Sequence, residues 1–77
     1  MIVEIITPDK TIYKGEAQLV QLPGIDGSFE ILENHAPLIS ALIKGNIKVK
    51  KNGKEESFEI NGGVIEVLNN KVLILAQ

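Results

Sequence analysis

The sequence has no cysteine, no arginine and no tryptophan, and aromatic residues make up only 4% of its 77 residues. Without cysteine, neither a disulfide nor a thiolate metal site can stabilise the fold. Without arginine, no guanidinium group is available for bidentate binding of a phosphate. The net charge is −2, whereas nucleic-acid-binding domains are usually basic and carry aromatic side chains that stack on bases. The composition therefore argues against a nucleic-acid partner.

No apolar run approaches the roughly 20 residues that a membrane-spanning helix needs. The sequence opens with Met1-Ile2-Val3-Glu4, without the basic and then apolar segments of a signal peptide. We therefore expect no direct membrane insertion. The length predicts a single small domain, residues 1–77. Hydrophobic residues make up 44% of the chain, so its core must consist of isoleucine, leucine and valine, which suit β-sheets.

Alternation of apolar and polar residues dominates the chain. Ile47 and Val49 alternate with lysines, and Phe58 and Ile60 alternate with polar residues, so both stretches are predicted to be half-buried strands. Asn52-Gly53 between them predicts a type I′ hairpin turn. Further strands are predicted at Ile2–Thr7, Thr11–Lys14, Glu16–Leu22, Ser28–Leu32, Ala36–Ile43, Val64–Leu68 and Lys71–Leu75, with Asn69-Asn70 as a second hairpin turn and Gly62-Gly63 as a bulge or sharp bend. No window has a clear helical stripe, so the pattern favours an all-β sandwich or flattened barrel.

The sequence offers little for catalysis. His35 is the only histidine, and a lone histidine builds neither a His-based metal site nor a catalytic triad. Asp26, Glu30 and Glu33 lie near His35 in the sequence, so a carboxylate–histidine pair could form, but no nucleophile accompanies it. Gly24-x-x-Gly27 lacks the Gly-Lys-Ser/Thr ending of a phosphate-binding loop, so we interpret it as a tight turn. We predict no catalytic residue, no metal, no cofactor and no small-molecule substrate. The residues alone thus indicate a small β module that binds something.

Two motifs at fixed spacing carry a family resemblance. The run Leu22-Pro23-Gly24-x-x-Gly27, followed by His35-Ala36-Pro37-Leu38-Ile39, resembles the N-terminal domain of ATP synthase epsilon subunits. Gly62-Gly63 with Glu66-Val67 matches the later strands of that domain. Glu30 departs from the family, which usually has glycine there, and Glu33-Asn34 stands where the family often has a Pro-Gly pair.

The resemblance implies a two-sheet β-sandwich of about ten short strands. It implies a non-catalytic rotor subunit in the central stalk of a proton-translocating F-type ATP synthase, linking the gamma subunit to the membrane c-ring. It further implies a peripheral location on the cytoplasmic face of the cell membrane. Family members often continue into a helical hairpin that can inhibit hydrolysis or bind ATP. The 77 residues match the β domain alone, as a short family member and a fragment would both do, and we expect no ATP binding by them.

The resemblance also implies two sets of contact residues. The residues expected to face the c-ring form one loop: Gly24, Ile25, Asp26, Gly27 and Ser28. The residues expected to face the gamma subunit follow the second motif: His35, Ala36, Pro37, Leu38 and Ser40. For Ala36, Pro37 and Leu38 the alternative is that they simply fill the core, because apolar residues are buried by default.

One alternative function comes from a different class of protein. Biotinyl and lipoyl carrier domains are flattened β-barrels of similar length that present a modifiable lysine at a hairpin tip. The lysines around Asn52-Gly53-Lys54 are the only ones in such a position, and the usual flanking methionine is missing. Another small β-sandwich binding module is the remaining alternative.

Overall fold

The computed structural model describes all 77 residues, and they form seven β-strands without a helix. The strands are β1 (Ile2–Ile6), β2 (Thr11–Glu16), β3 (Leu19–Gly24), β4 (Gly27–Leu32), β5 (Leu38–Lys51), β6 (Lys54–Leu68) and β7 (Lys71–Ala76). Accordingly, the structure contains no helix of the length and apolarity that crossing a membrane requires. The predicted all-β class is confirmed.

All seven strands belong to one hydrogen-bonded sheet with the order β2-β1-β7-β6-β5-β3-β4. Strands β1 and β7 pair in parallel, and every other pair is antiparallel. The sheet folds back on itself because β5 and β6, with 14 and 15 residues, are long enough to run through two layers. The first layer holds β2, β1 and β7, together with the half of β5 that ends at residue 43 and the half of β6 that starts at residue 62. The second layer holds β4, β3 and the other halves.

The two long strands switch their buried faces where they pass between the layers. In β5 the inward positions are even-numbered up to Leu42 and odd-numbered from Gly45, and β6 makes the matching change between Ile60 and Gly63. The β5–β6 register stays constant through this corner, so no extra residue is inserted there. Gly62-Gly63 is therefore a bend rather than a bulge, as strands that switch layers in a sandwich require.

The core lies between the layers and is entirely aliphatic apart from flanking rings. Its 16 buried residues are Met1, Val3, Ile5, Ala17, Val20, Leu22, Ile31, Leu42, Ile47, Val49, Ile60, Ile65, Val67, Val72, Ile74 and Ala76. Tyr13 and Phe58 pack against the cluster, with ring centroids 5.4 Å apart, and close one side of it. Because no polar side chain is buried, apolar burial provides most of the stabilisation of the fold.

Both predicted hairpin turns are confirmed. Asn52 and Gly53 have φ values of 52° and 77°, and the flanking Lys51 and Lys54 pair across the turn. Asn69 and Asn70 have φ values of 51° and 59° at the tip of the β6–β7 hairpin. Positive φ at both central residues is the geometry of a type I′ turn, which asparagine and glycine tolerate best.

Three details of the predicted strands were wrong. The sandwich has seven strands rather than about ten, mainly because β5 and β6 each serve both layers without a break. The predicted strand Glu16–Leu22 is divided, since Glu16 ends β2 and the chain crosses at Ala17 before β3 begins. The predicted strand Ala36–Ile43 starts only at Leu38, because Pro37 has no backbone N–H to donate to the sheet.

Candidate partner-binding surface

The outer surface of the first layer is apolar across four strands. Val64 on β6 pairs with Ala41 on β5 and with Leu75 on β7, and Leu75 pairs with Ile6 on β1. Paired residues point to the same side of a sheet, so these four side chains form one continuous row. Large exposed side chains on both sides of this row extend it: Ile2, Ile39, Ile43 and Leu68. We call Ile2, Ile6, Ile39, Ala41, Ile43, Val64, Leu68 and Leu75 the apolar face.

The exposure of this face is large for a chain of this size. Ile39 is 71% exposed, more than any other large hydrophobic residue of the chain, and Leu68 is 49% exposed. Scattered exposed hydrophobic residues are ordinary, but a contiguous patch of them usually marks an interaction site. The apolar face is therefore the best candidate for a functional surface in this structure.

The outer surface of the second layer is different in character. It carries Lys48 and Lys50 on β5, opposite Ser57 and Glu55 on β6. Lys50 and Glu55 form an ion pair of 3.6 Å between half-exposed side chains. Such a solvated, mixed-charge surface contributes little to stability and keeps the edge strands from associating. The asymmetry between the two outer surfaces makes the first layer the better candidate for a partner-binding surface.

The segment that precedes β5 borders the apolar face. His35, Ala36 and Pro37 are all exposed, so they do not fill the core. Pro37 and Ile39 line one side of a shallow groove, and Glu66 and Leu68 line the other. The ring Nδ1 of His35 lies 2.7 Å from the carbonyl oxygen of Ala36, a local contact with no second side chain. The predicted gamma-facing segment thus lies at the rim of the apolar face.

Leu38 and Ser40 point the other way. Both are half-buried on the inner side of β5, where Leu38 packs against the core. Ile39 and Ala41, the residues between and after them, occupy the outer side. Sequence reasoning missed the outward residues of β5, β6 and β7. The available signal was the lack of alternation in residues 38–43, 64–68 and 72–76, since a strand that is apolar on both sides is covered on both sides.

The loop predicted to face the c-ring is a hairpin tip between β3 and β4. Gly24 pairs with Gly27, and Ile25 and Asp26 form the exposed turn between them. Ile25 is 64% exposed and Ser28 is exposed at the start of β4. A Cβ on Gly24 would approach the carbonyl oxygen of Gly27 to 2.6 Å, so the turn closes more tightly than a side chain allows. The five residues therefore form one compact tip.

A polar network anchors the segment beside His35. The backbone N–H of Asn34 donates to Asn70 Oδ1 at 2.8 Å, and Asn70 Nδ2 donates to Glu33 Oε2 at 3.2 Å. The other carboxylate oxygen of Glu33 accepts from the amino group of Met1, which also donates to the carbonyl oxygen of Ala17 at 3.1 Å. These hydrogen bonds from the amino group and from Asn70 lower the pKa of Glu33 below its ordinary value of 4.5.

The comparisons with known proteins agree with this architecture. The sequence profile of the family described as ATP synthase, Delta/Epsilon chain, beta-sandwich domain matches residues 1–77. The chain belongs to this family. ATP synthase epsilon chains are among its relatives: it is 43% identical over 75 residues to the one from Chlorobium limicola and 47% identical over 72 residues to one from Desulfitobacterium hafniense.

The relatives differ in length. The match covers 96% of this chain and 85% of the Chlorobium limicola protein. The match to the Desulfitobacterium hafniense protein covers 94% of this chain but only 54% of that protein. The Maridesulfovibrio salexigens protein is 43% identical, and the match covers 100% of this chain and 54% of that protein. The chain thus spans about half the length of several relatives. The match over the whole chain also removes the carrier-domain alternative.

Solved structures share the fold. A chain in the mitochondrial ATP synthase structure of Euglena gracilis, which comprises OSCP, F1 and the c-ring, superposes with a TM-score of 0.92 at 24% identity, over 99% of this chain and 49% of that one. A chain in the central stalk and c-ring structure of Tetrahymena thermophila gives 0.84 at 18% identity, over 99% and 62%. Because both identities are below 25%, these two structures show a shared fold and nothing more.

Proposed function

We propose that this chain is a non-catalytic rotor component of an F-type ATP synthase, which binds the gamma subunit and rests on the c-ring. The observation that carries the proposal is the apolar face on a chain of this family. Its exposed isoleucines and leucines would be covered on binding the gamma subunit, with His35, Ala36 and Pro37 at the rim. A contiguous exposed apolar patch bordered by polar residues is typical of a protein–protein interface.

The β3–β4 tip would form the second contact, with the polar loops of the c-ring. Ile25 and Asp26 present one apolar and one acidic side chain in an exposed turn. Such a small tip suits a limited, hydrated contact rather than a large dry one. A domain that holds gamma with one surface and the ring with another would turn with the ring, and its dense aliphatic core would transmit the strain between the two contacts. Proton-driven rotation of the ring is thereby linked to ATP synthesis in the catalytic head.

The chemistry of the chain fits a role without catalysis. No three His, Cys, Asp or Glu side chains are grouped so that they could hold a metal ion. The only hydrogen-bond partner of the His35 side chain is a neighbouring carbonyl oxygen, so it has neither a nucleophile to activate nor a carboxylate to orient it. As part of the membrane-associated synthase, the domain would lie at the cytoplasmic face of the cell membrane without entering it.

The test is binding to the gamma subunit of the same organism. The purified chain should form a stable complex with gamma in size-exclusion chromatography. Ile39→Asp replaces the most exposed large hydrophobic residue of the apolar face with a charge and should weaken binding about tenfold or more, as loss of an interface anchor does. Leu32→Asp is the matched control, because Leu32 is 54% exposed on the outer surface of the second layer. A chain that does not bind gamma, or equal affinity of both variants, would overturn the proposal.

A further inference from the structure

Glu66 stands within the apolar face. It lies on β6, the strand between β5 and β7 in the first layer, and its cross-strand neighbours are Ile39 and Leu73. Along its own strand, Val64 and Leu68 flank it on the same side of the sheet. All four neighbours are aliphatic, and the Glu66 side chain is exposed above them. A carboxylate therefore sits in the middle of the surface that a partner would cover.

No group of this chain neutralises that carboxylate. The two ion pairs of the structure, Met1–Glu33 and Lys50–Glu55, both lie elsewhere. Lys71 is on the same side of the first layer, but it pairs with Leu68 at the end of β7 and makes no ion pair with Glu66. Glu4 is in the same cross-strand row, but Lys14 lies directly opposite it on β2, whereas both cross-strand neighbours of Glu66 are uncharged. Water is thus the only counterpart of the Glu66 carboxylate in the free chain.

Docking would remove that water. An ionised carboxylate that loses its hydration without gaining a partner strongly disfavours binding. A covering surface that is only apolar would therefore bind poorly, although the rest of the face favours apolar contact. The face consequently fits a partner that supplies a cation at one defined point.

We propose that the gamma surface covering the apolar face places a lysine or arginine opposite Glu66, and that this ion pair selects and orients the partner. The proposal rests on the proposed function and adds the chemistry of the partner. In the complex the apolar residues provide contact area, whereas Glu66 fixes the register of the two surfaces. Unpaired charges at an interface reject wrong partners, so the same carboxylate limits binding to other apolar surfaces.

The experiment measures the affinity of gamma for Glu66→Lys and Glu66→Gln by biolayer interferometry at low and high salt. Glu66→Lys should weaken binding by about a hundredfold and Glu66→Gln by about tenfold, because reversal adds repulsion to the loss of the pair. The affinity of Glu66→Gln should also depend less on salt than that of the unmodified chain. The matched control is Glu59→Lys, an exposed residue of the same strand that pairs with Asn46 in the second layer. Its affinity should stay within about twofold.

A reciprocal scan identifies the cation. Single Lys→Glu and Arg→Glu variants of gamma are tested against Glu66→Lys, and one of them should restore most of the lost affinity. Thermal unfolding of each chain variant confirms that it is folded. If Ile39→Asp abolishes binding but Glu66→Lys binds as well as the unmodified chain, this inference fails while the proposed function stands. If the unmodified chain does not bind gamma, the proposed function itself fails.

Discussion

Ile43 and Ile47 lie four residues apart on the same strand, yet Ile43 is 47% exposed and Ile47 is completely buried. In a regular strand, residues separated by an even number point to the same side. The two isoleucines differ because the corner of β5 falls between them, where the buried side changes from even-numbered to odd-numbered positions. The corner is thus what places the apolar face on the outside of one layer while the same strand fills the core of the other.

This difference predicts unequal costs for the same substitution. Ile47→Ala should lower the free energy of unfolding by about 2–5 kcal/mol, because it leaves a cavity in the core. Ile43→Ala should lower it by less than about 1 kcal/mol, since no cavity forms at a half-exposed site. Urea unfolding followed by circular dichroism measures both values. Equal costs for the two variants would contradict the layer assignment of β5.

The corner of β6 depends on Gly63. Its φ is 154°, and a Cβ at this position would lie 2.3 Å from the carbonyl oxygen of Leu75 on the neighbouring strand. Gly63→Ala should therefore force β6 and β7 apart and destabilise the fold by more than the roughly 1–3 kcal/mol of an unfavourable backbone conformation alone.

Gly53→Ala is the control for the cost of placing alanine at a positive φ. Gly53 also has a positive φ, 77°, but a Cβ there meets nothing within 4 Å. The midpoint of thermal unfolding should fall much further for Gly63→Ala than for Gly53→Ala. A similar decrease in both variants would mean that conformational preference, rather than the approach of Leu75, requires the glycine.

Much of the strand pattern follows from local sequence. Alternation around Ile47 and Phe58 and the turn chemistry of Asn52-Gly53 and Asn69-Asn70 are determined by neighbours in the chain, so they were predictable. The parallel pairing of β1 with β7 was not, because it joins the two ends of the chain. The continuity of β5 and β6 was also hidden, since the change of buried side at the corner looks like the end of one strand and the start of another.

The candidate surface was predictable only in part. The His35-Ala36-Pro37 segment is exposed at the rim of the apolar face, and the Gly24–Ser28 segment forms one exposed tip. Whether these residues contact gamma and the c-ring stays a prediction. The apolar face itself depends on the cross-strand alignment of Ala41 and Val64, which lie far apart in the sequence, and no local pattern specifies that alignment.

Asn70 holds the segment at the rim in place through its side chain. Asn70→Gly keeps the positive φ of the turn but removes the hydrogen bonds to Asn34 and Glu33. We expect a loss of about 1–2 kcal/mol in the free energy of unfolding, as for one or two net hydrogen bonds. Asn69→Gly is matched in residue type and in φ, and the structure gives its side chain no hydrogen bond, so its effect should be much smaller. An equal effect of the two variants would show that the turn, and not the network, matters.

The Glu33 carboxylate makes part of the stability depend on pH. Its pKa is lowered in the folded state, first by the hydrogen bond from the Met1 amino group and then by that from Asn70. A lowered pKa contributes stability that is complete above the ordinary value of 4.5 and is lost as the pH falls through the lowered value.

Glu33→Gln should consequently be less stable than the unmodified chain at neutral pH, and the difference should shrink as the pH falls from about 6 to about 3. Urea unfolding at each pH measures it. Glu30→Gln, an exposed residue without a side-chain partner in the structure, is the control and should show no such trend. A difference between Glu33→Gln and the unmodified chain that does not change with pH would argue against the carboxylate as its source.

The β3–β4 hairpin provides the test of the proposed contact with the c-ring. Ile25 at its tip is 64% exposed, so Ile25→Ser removes apolar contact area without disturbing the core. We expect unchanged thermal unfolding and unchanged affinity for gamma, but weaker association of the gamma complex with detergent-solubilised c-ring, by roughly three- to tenfold for the loss of one apolar contact. Leu32→Ser is the matched control, since Leu32 is 54% exposed at the other end of the same hairpin. If Leu32→Ser weakens ring association as much as Ile25→Ser, the contact with the ring is not at the tip. If neither does, the ring binds a different surface of the domain, and the tip serves only to connect the two strands.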